Sequence, residues 1–333
     1  MAFILKSLTQ HRLLNASARQ KLLAFASLLV IILFFSVASP QFFKLDNLIG
    51  ILQATAVNGV LAIATTFVIV AAGIDLSIGV LMTFTAVITG VFLTYWQLPM
   101  WLGVVAAIVS GGLSGLLSGT LIAKLKIPPF IATLGMMLVL KGLSLIIAQS
   151  KPIYFNDTPS FSMISLDSVV QKIIPALPIP NAVLILILVA ILCHFILNHT
   201  IFGRYCFAIG SNEEAVRLSG INVDRWKMTI YAFSGALCGV AGLLIASRLN
   251  SAQPSLGMGY ELDAIAAVVI GGTSLAGGVG SILGTVIGAF ILSVLTNGLR
   301  IMSVAPDWQT LVSGLIIILA VYTDNLRRRR SGG

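Results

Sequence analysis

The chain has 333 residues, of which 58% are hydrophobic and only 9% are charged. Soluble domains carry charge on roughly a quarter of their residues, so this composition excludes an ordinary water-soluble domain and indicates a protein whose solvent is lipid. The formal net charge of +9 also raises nucleic-acid binding, but the cations lie at the ends of apolar blocks instead of forming one basic face, which argues against that function.

Long apolar blocks follow one another along the chain, and each approaches the roughly 20 residues that a spanning helix needs. They predict an all-α polytopic transmembrane helix bundle with about ten spans, near residues 22–39, 48–72, 77–96, 100–123, 129–148, 181–197, 228–249, 262–272, 281–299 and 308–323. The block 262–272 is too short to cross alone and predicts a re-entrant or broken helix, so eight or nine full spans are the alternative.

The first block, 22–39, follows basic residues and ends in small ones, as a secretory signal sequence does. Its apolar run exceeds the roughly 7–15 residues of a signal core, and further spans follow at once. An uncleaved first span is therefore the simpler interpretation.

Lysine and arginine mark one side of the membrane. They collect in the first 21 residues, in the connection 124–126, in the loop 198–227 and at Arg327 to Arg330. Cytoplasmic loops carry such an excess of cations, and with ten crossings all four segments fall on the cytoplasmic side. The predicted organisation is a cytoplasmic segment 1–21, a transmembrane domain 22–323 with an extracytoplasmic loop 149–180, and a basic cytoplasmic tail 324–333.

Two ridges of glycine predict tight helix packing. Gly111, Gly115 and Gly119 recur at every fourth residue, and Gly280, Gly284 and Gly288 repeat the spacing late in the chain. Leucine gains little by leaving lipid for a neighbouring helix, whereas small residues let two backbones approach closely. The ridges indicate a compact bundle but no particular transport function.

A faint internal repeat pairs Gly73–Val80 with Gly272–Val279, in which four of eight positions are identical. Transporters built from repeats place broken helices at such sites, although two membrane turns can also converge on glycine, and both interpretations stay open. The candidate pathway or helix-break residues are Asp75, Ser77, Thr273 and Ser274.

Four polar side chains within or beside apolar blocks call for an interpretation. Asp75 within an apolar stretch costs roughly 2.5–3.5 kcal/mol on insertion scales, and its place before a helix starting near Leu76 favours an N-cap over contact with solute. Lys141 lies toward the outer end of its span, which favours snorkelling. His194 and His199 are five residues apart with no further ligand nearby, so interfacial polar residues are favoured over a metal site.

The loop 198–227 contains a short helix signal. Ser211 or Asn212 can cap its first amides, Ser211 with Glu214 matches a capping box, and Gly220 suits the residue after the end. Because a two-turn helix is marginal alone in water, its well-defined capping residues predict that it packs against this protein's own loops or against another subunit.

Five segments resemble the permease subunits of ribose-type sugar importers of the ATP-binding-cassette class. They are Gly73–Gly79 (GIDLSIG), Ala123–Gly135 (AKLKIPPFIATLG), Ala208–Ile221 (AIGSNEEAVRLSGI), Gly259–Ala266 (GYELDAIA) and Gly271–Gly278 (GGTSLAGG). They follow the family's order from about residue 40 to 323. The chain departs at Ser211, where many relatives have glycine, and at Lys141, where arginine is expected; the second leaves the role of Lys141 in doubt, because the two cations are not interchangeable.

The resemblance implies a type II importer-like permease in the bacterial inner membrane, with both termini cytoplasmic. It implies three partners: an ATP-binding-cassette ATPase, a periplasmic sugar-binding protein, and a second permease subunit that is an identical copy or a close paralogue. The residues expected to couple to the ATPase are Gly210, Ser211, Asn212, Glu213, Glu214, Arg217 and Gly220.

The permease itself is expected to be no enzyme and to bind no cofactor. The chain has no G-x-x-x-x-G-K-[ST] run, so ATP and Mg²⁺ belong to the partner. A pentose or hexose is the expected solute, with an autoinducer-like furanose, a polyol, a nucleoside or a branched-chain amino acid as alternatives. Tyr154, Phe155, Asp157 and Phe161 in the outer loop are candidate contacts of the binding protein, against an ordinary surface loop.

Two other classes compete with this interpretation. An ion-coupled transporter should bury more ionisable residues in its spans than this sequence offers. A membrane enzyme should show a nucleophile with its base, or a set of metal ligands, and the spans contain neither pattern.

Overall fold

The computed structural model describes residues 21–331, so the predicted N-terminal segment 1–21 lies outside the described residues except for Lys21. Helices α1 to α13 are Lys21–Ala38, Leu45–Val70, Ile78–Gly90, Met100–Ala123, Pro129–Ile147, Val169–Ile173, Asn181–His199, Ile201–Ser211, Glu213–Leu218, Val223–Leu249, Tyr260–Ile270, Ile282–Ile301 and Pro306–Ser331. A π-helical turn, Val91–Tyr95, extends α3, and the strands β1 (Ile153–Tyr154) and β2 (Ser251–Ala252) pair antiparallel.

This architecture confirms a polytopic helical membrane protein. Within the described part of the chain, eight helices are long and apolar enough to cross a bilayer: α1, α2, α3 with its π turn, α4, α5, α7, α10 and α12. Helix α11 has 11 residues, about 16 Å, which is too short for a hydrocarbon core of about 30 Å. The short helix expected at 262–272 is thus confirmed, while the total of ten crossings stays a prediction.

Helices α4 and α10 pack through the first glycine ridge. A Cβ added to Gly111 would overlap the carbonyl of Gly235, and one added to Gly115 would overlap the carbonyl of Tyr231. At Gly119 the nearest atom, Cα of Met228, would be 2.8 Å away. The two backbones are therefore in direct contact along three turns, as the spacing predicts.

The second ridge is shorter than the sequence indicates. Gly284 and Gly288, on α12, face the carbonyls of Gly271 and Ala267 at the end of α11. Gly280 precedes α12 and lies against the side chain of Val70 instead. The ridge thus packs α12 on α11 with two glycines, and its first member belongs to a loop.

The loop 149–180 folds onto the bundle. Strand β1 pairs with β2 in the register Ile153 with Ala252, and Ser247 at the end of α10 donates to the Phe161 carbonyl at 2.8 Å. Phe155 and Phe161 are fully buried. These two rings stabilise the loop, so their predicted contact with a partner protein is wrong; Tyr154 remains exposed.

The chain re-enters the bundle before α11 begins. After β2, the backbone descends beside the first turns of α3, where Thr83 Oγ1 donates to the Leu256 carbonyl at 2.9 Å and the carbonyl of Gly257 occupies the space of a Gly79 side chain. Lys141 Nζ lies 2.8 Å from Met258 Sδ in the same segment. An extended stretch followed by the short helix α11 therefore replaces one regular span.

We predict that Gly115→Ala destabilises the protein, because its new methyl group would overlap the Tyr231 carbonyl and overpacking costs roughly 1–3 kcal/mol. The matched control is Gly112→Ala, whose Cβ would lie 3.6 Å from the nearest atom, the Ala232 carbonyl. Helix propensity alone makes that change neutral or favourable. Thermal unfolding of the purified variants in detergent measures both; equal melting temperatures would contradict the packing argument.

Candidate functional site

The loop 198–227 is largely helical, which the sequence interpretation missed. Helix α8 begins after Thr200, whose hydroxyl accepts the Gly203 amide at 3.4 Å. Its buried residues, Gly203, Cys206 and Ile209, recur at every third position. That i, i+3 spacing is the sequence signal of a helix with one packed face, and it identifies α8.

Helix α9 is the predicted short helix, and its termini are only partly as predicted. Asn212 is the N-cap, because its Oδ1 accepts the Ala215 amide at 2.9 Å. Ser211 is instead the last residue of α8, so the predicted capping box with Glu214 is wrong. Gly220 has φ +81°, the left-handed conformation expected just after a helix end.

A charge network anchors α9 to the rest of the protein. Glu213 accepts from Lys227 at 2.6 Å and from Arg217 at 3.1 Å. Arg217 reaches Asp224 at 3.2 Å, and Lys126 reaches the same carboxylate at 2.9 Å. These five side chains connect α9 with the α4–α5 connection and the first turn of α10.

The network changes the titration of its exposed members. Burial raises the pKa of Glu213, but the bonds from Lys227 and Arg217 outweigh it and hold the pKa below its ordinary value. The Glu213 bond raises the pKa of Arg217. A lowered carboxyl pKa stabilises the fold above the unfolded value of about 4.3, and this stabilisation is lost as the pH falls through the lower folded pKa.

The remaining face of α9 is open. Val216 is 7% exposed and faces the protein, whereas Leu218 is 83% exposed and Glu214 is also exposed. Glu214 and Leu218 thus define an open face of α9 that is exposed in the described part of the chain.

Helices α2 and α11 end in the same way. The Ala72 amide bonds to the Ile69 carbonyl and the Gly73 amide to the Val68 carbonyl, each at 2.9 Å. The amides of Gly272 and Thr273 repeat this pattern 200 residues later, on the carbonyls of Val269 and Val268. Both ends are Schellman motifs with a left-handed residue, Ala72 or Gly272. The structural equivalence is thus shifted by one residue from the sequence repeat.

The end of α2 meets α8 and the loop before α12 at what we call the glycine junction, formed by Val70, Ala72, Gly210, Gly277 and Gly278. The Gly278 amide donates to the Val70 carbonyl at 2.9 Å. A Cβ on Gly210 would overlap that carbonyl, and one on Gly277 would lie 2.8 Å from the Gly210 carbonyl. The end of α8, the end of α2 and the loop before α12 are therefore in backbone contact.

The other sequence candidates occupy helix breaks. Asp75 Oδ1 accepts from the amide and the hydroxyl of Ser77 at 2.9 and 2.6 Å. Ser77 directly precedes α3 but makes no side-chain capping bond, so the predicted capping role belongs to Asp75, whose carboxylate accepts the Ser77 amide at this helix start. Thr273 is buried with an unpartnered hydroxyl, and Ser274 hydrogen-bonds to Val279 across the loop before α12. Only Thr273 and Ser274 adjoin the glycine junction.

The histidines take part in local contacts. His194 Nδ1 lies 3.2 Å from Asn198 Nδ2, and the ring of His199 stacks on Phe195 with centroids 5.3 Å apart. The interfacial role of both residues stays a prediction.

Comparison with known proteins gives one consistent result. The family described as the permease component of the branched-chain amino acid transport system matches residues 47–321. The ribose import permease protein of Escherichia coli (strain K12) is 42% identical over 302 residues, covering 91% of this chain and 92% of the relative. The fructose import permease protein of Rhizobium meliloti is 37% identical, covering 96% and 88%. The xylose transport system permease protein of Escherichia coli (strain K12) is 35% identical, covering 92% of each. No solved structure matches.

We predict that Glu213→Gln loosens α9, because it weakens two ion pairs at once. Hydrogen–deuterium exchange of the amides of α9 should become roughly two- to fivefold faster, and the difference should shrink in high salt. The matched control is Glu214→Gln, at the exposed neighbouring position. Equal exchange in both variants would show that the charge network does not hold the helix.

Proposed function

Because the chain belongs to the family of transport-system permease components, we propose that it is the membrane-spanning subunit of an ATP-driven importer for a monosaccharide. The observation that carries the proposal is the near full-length identity, 35–42%, to import permeases named for ribose, fructose and xylose. The family description names branched-chain amino acids, but relatives of this identity and coverage favour a pentose or hexose.

The energy comes from a partner. The chain lacks the phosphate-binding loop of ATPases, so an ATP-binding-cassette subunit would bind ATP and Mg²⁺ and perform the hydrolysis. Its contact on this chain is the open face of α9. Among the predicted coupling residues, Glu214 belongs to that face. Glu213 and Arg217 instead hold the helix in position through their ion pairs.

Alternating access follows from the glycine junction. A push on α9 passes to α8, which continues into it at Asn212. At Gly210, α8 bears directly on the inner end of α2 and on the loop that leads into α12. Thr66 and Thr285 join α2 to α12 by a hydroxyl bond of 2.8 Å just beyond the junction. ATPase closure would thus shift α2 and α12 together.

The remaining partners complete the importer in the bacterial inner membrane. A periplasmic sugar-binding protein would deliver the solute to the side opposite α9, and a second permease, an identical copy or a close paralogue, would form the other half of the pathway. The lysines at 124 and 126 lie on the α9 side, which supports a cytoplasmic location for α9 and for both termini.

We predict that Gly210→Ala uncouples transport, because the added methyl would overlap the Val70 carbonyl and separate α8 from α2. Uptake into proteoliposomes should fall at least tenfold while the assembled ATPase still hydrolyses ATP. The matched control is Gly142→Ala, a helical glycine whose Cβ would meet nothing within 4 Å. Normal uptake per ATP in Gly210→Ala would refute the role of the junction.

We also predict that Leu218→Cys reacts with a membrane-impermeant maleimide in inside-out vesicles and not in right-side-out ones. The three native cysteines are buried, so the background should be low. Co-expression of the ATPase should protect the new thiol. Val216→Cys, at a position only 7% exposed, is the control and should stay unreactive. Labelling from the outside would overturn the orientation, and labelling unaffected by the ATPase would overturn the docking face.

A further inference from the structure

A polar cavity lies between α2, α10, α11 and α12 and contains none of the candidate site residues of the sequence, although Tyr260 and Asp263 in its wall belong to the segment Gly259–Ala266. Its volume is about 340 Å³, at the lower end of the range of roughly 300–1,000 Å³ for small-molecule sites. Its polar lining includes Asn58, Arg248, Asp263, Ser293, Asn297 and Arg300. Charged and amide side chains inside a membrane bundle are costly and indicate function.

Several polar groups of this cavity have no hydrogen-bond or ion-pair partner in the described part of the chain. The hydroxyl of Ser293 and the amide oxygen of Asn297 are buried without a hydrogen-bond partner. In the part of the chain that the structure describes, no ion pair joins Asp263 to Arg248 or Arg300. A buried polar atom without a partner costs roughly 1–3 kcal/mol, so the lining is suited to a ligand that supplies the missing bonds.

The cavity lies on the far side of the bundle from α9. Lys227, which holds α9, and Arg248, which lines the cavity, are 21 residues apart on the same helix, a distance of about 32 Å. This equals the thickness of the hydrocarbon core. Helix α2 starts on the cavity side and ends at the glycine junction, whereas α12 begins beside the junction and ends on the cavity side. They line the cavity with Asn58 and Ser293.

We infer that this cavity is the site where the permease receives its solute, and that the solute is a small, neutral, polyhydroxylated molecule; this rests on the proposed function. Asp263 accepts from two sugar hydroxyls, Arg248 and Arg300 donate to hydroxyl oxygens, and Asn297 does both. Tyr260, also in the lining, offers a ring face for the C–H side of a pyranose or furanose.

A branched-chain amino acid fits the lining less well. Its charged groups could pair with Asp263 and an arginine, and Val57 and Ile245 in the wall could contact an aliphatic side chain. That side chain has no hydroxyl for Asn58, Ser293 or Asn297, so their buried polar atoms would remain unpaired. A site built to bond hydroxyls rejects an analogue that lacks them, which favours the sugar.

The test uses the complex of permease, ATPase and cognate binding protein in proteoliposomes, with labelled D-ribose, D-xylose, D-fructose and L-leucine as probes. Asp263→Asn should lower sugar uptake about tenfold, since the amide carries no charge and replaces one of the two acceptor oxygens with a donor, and Ser293→Ala should lower it several-fold. The matched control is Ser234→Ala, another buried serine with an unpartnered hydroxyl that does not line the cavity; uptake should stay within twofold.

A second measurement, thiol labelling in the cavity, distinguishes the loss of solute binding from the misfolding of a variant. Asn297→Cys should react with a small thiol reagent added from the binding-protein side, and saturating transported sugar should slow the reaction. Sugar uptake by the unaltered complex, together with unchanged uptake in both cavity variants and no protection at position 297, would overturn the cavity assignment alone. Leucine uptake that the cavity variants lower would overturn the sugar class. Failure of the unaltered complex to transport any probe would overturn the proposed function itself.

Discussion

Close contact between helix backbones is the constraint on which this structure depends. In lipid, burying leucine against another helix gains little, so dispersion between tightly packed atoms must stabilise the bundle. Such contact requires residues without a side chain where two axes approach. Gly111 meets Gly235 between α4 and α10, and Gly284 meets Gly271 between α12 and α11. At Gly210 the same kind of backbone contact joins α8 to the end of α2.

A second constraint follows from the first. Where helices break inside the bundle, the freed backbone groups have no water, so side chains must satisfy them. Tyr231 donates to the Ile74 carbonyl, and Thr133 accepts the Leu76 amide. Glu261 accepts the Gly259 amide with both oxygens, at 3.0 and 3.1 Å. Buried polar residues such as Glu261 therefore support irregular backbone, whereas the cavity residues keep unpaired atoms.

The polar residues at the helix breaks and those of the cavity therefore differ in role: the first support the backbone, and the second are the proposed solute contacts. The helix breaks at Asp75 and Thr273 shape the α9 side of the bundle, and the cavity lies toward the other side, with Asn58 about 18 Å along α2 from Val70. Helices α2 and α12 join the two regions, because each contributes to the cavity wall and contacts the junction. In the proposed mechanism, this connection transmits a small displacement of α9 to the cavity.

The sequence by itself determined the fold class, most helix bounds, the packing glycines of α4 and the position of α9. These properties depend on local hydrophobicity and on residue type at short spacing, which are visible along the chain. It did not reveal the contacts of α8, the pairing of Glu213 with Lys227, or the cavity, and its expectations for Phe155 and Phe161 were wrong. Those features depend on which distant segments become neighbours. Asn58, Arg248 and Asn297 are unremarkable in sequence, and only the tertiary structure places their polar atoms around one shared space.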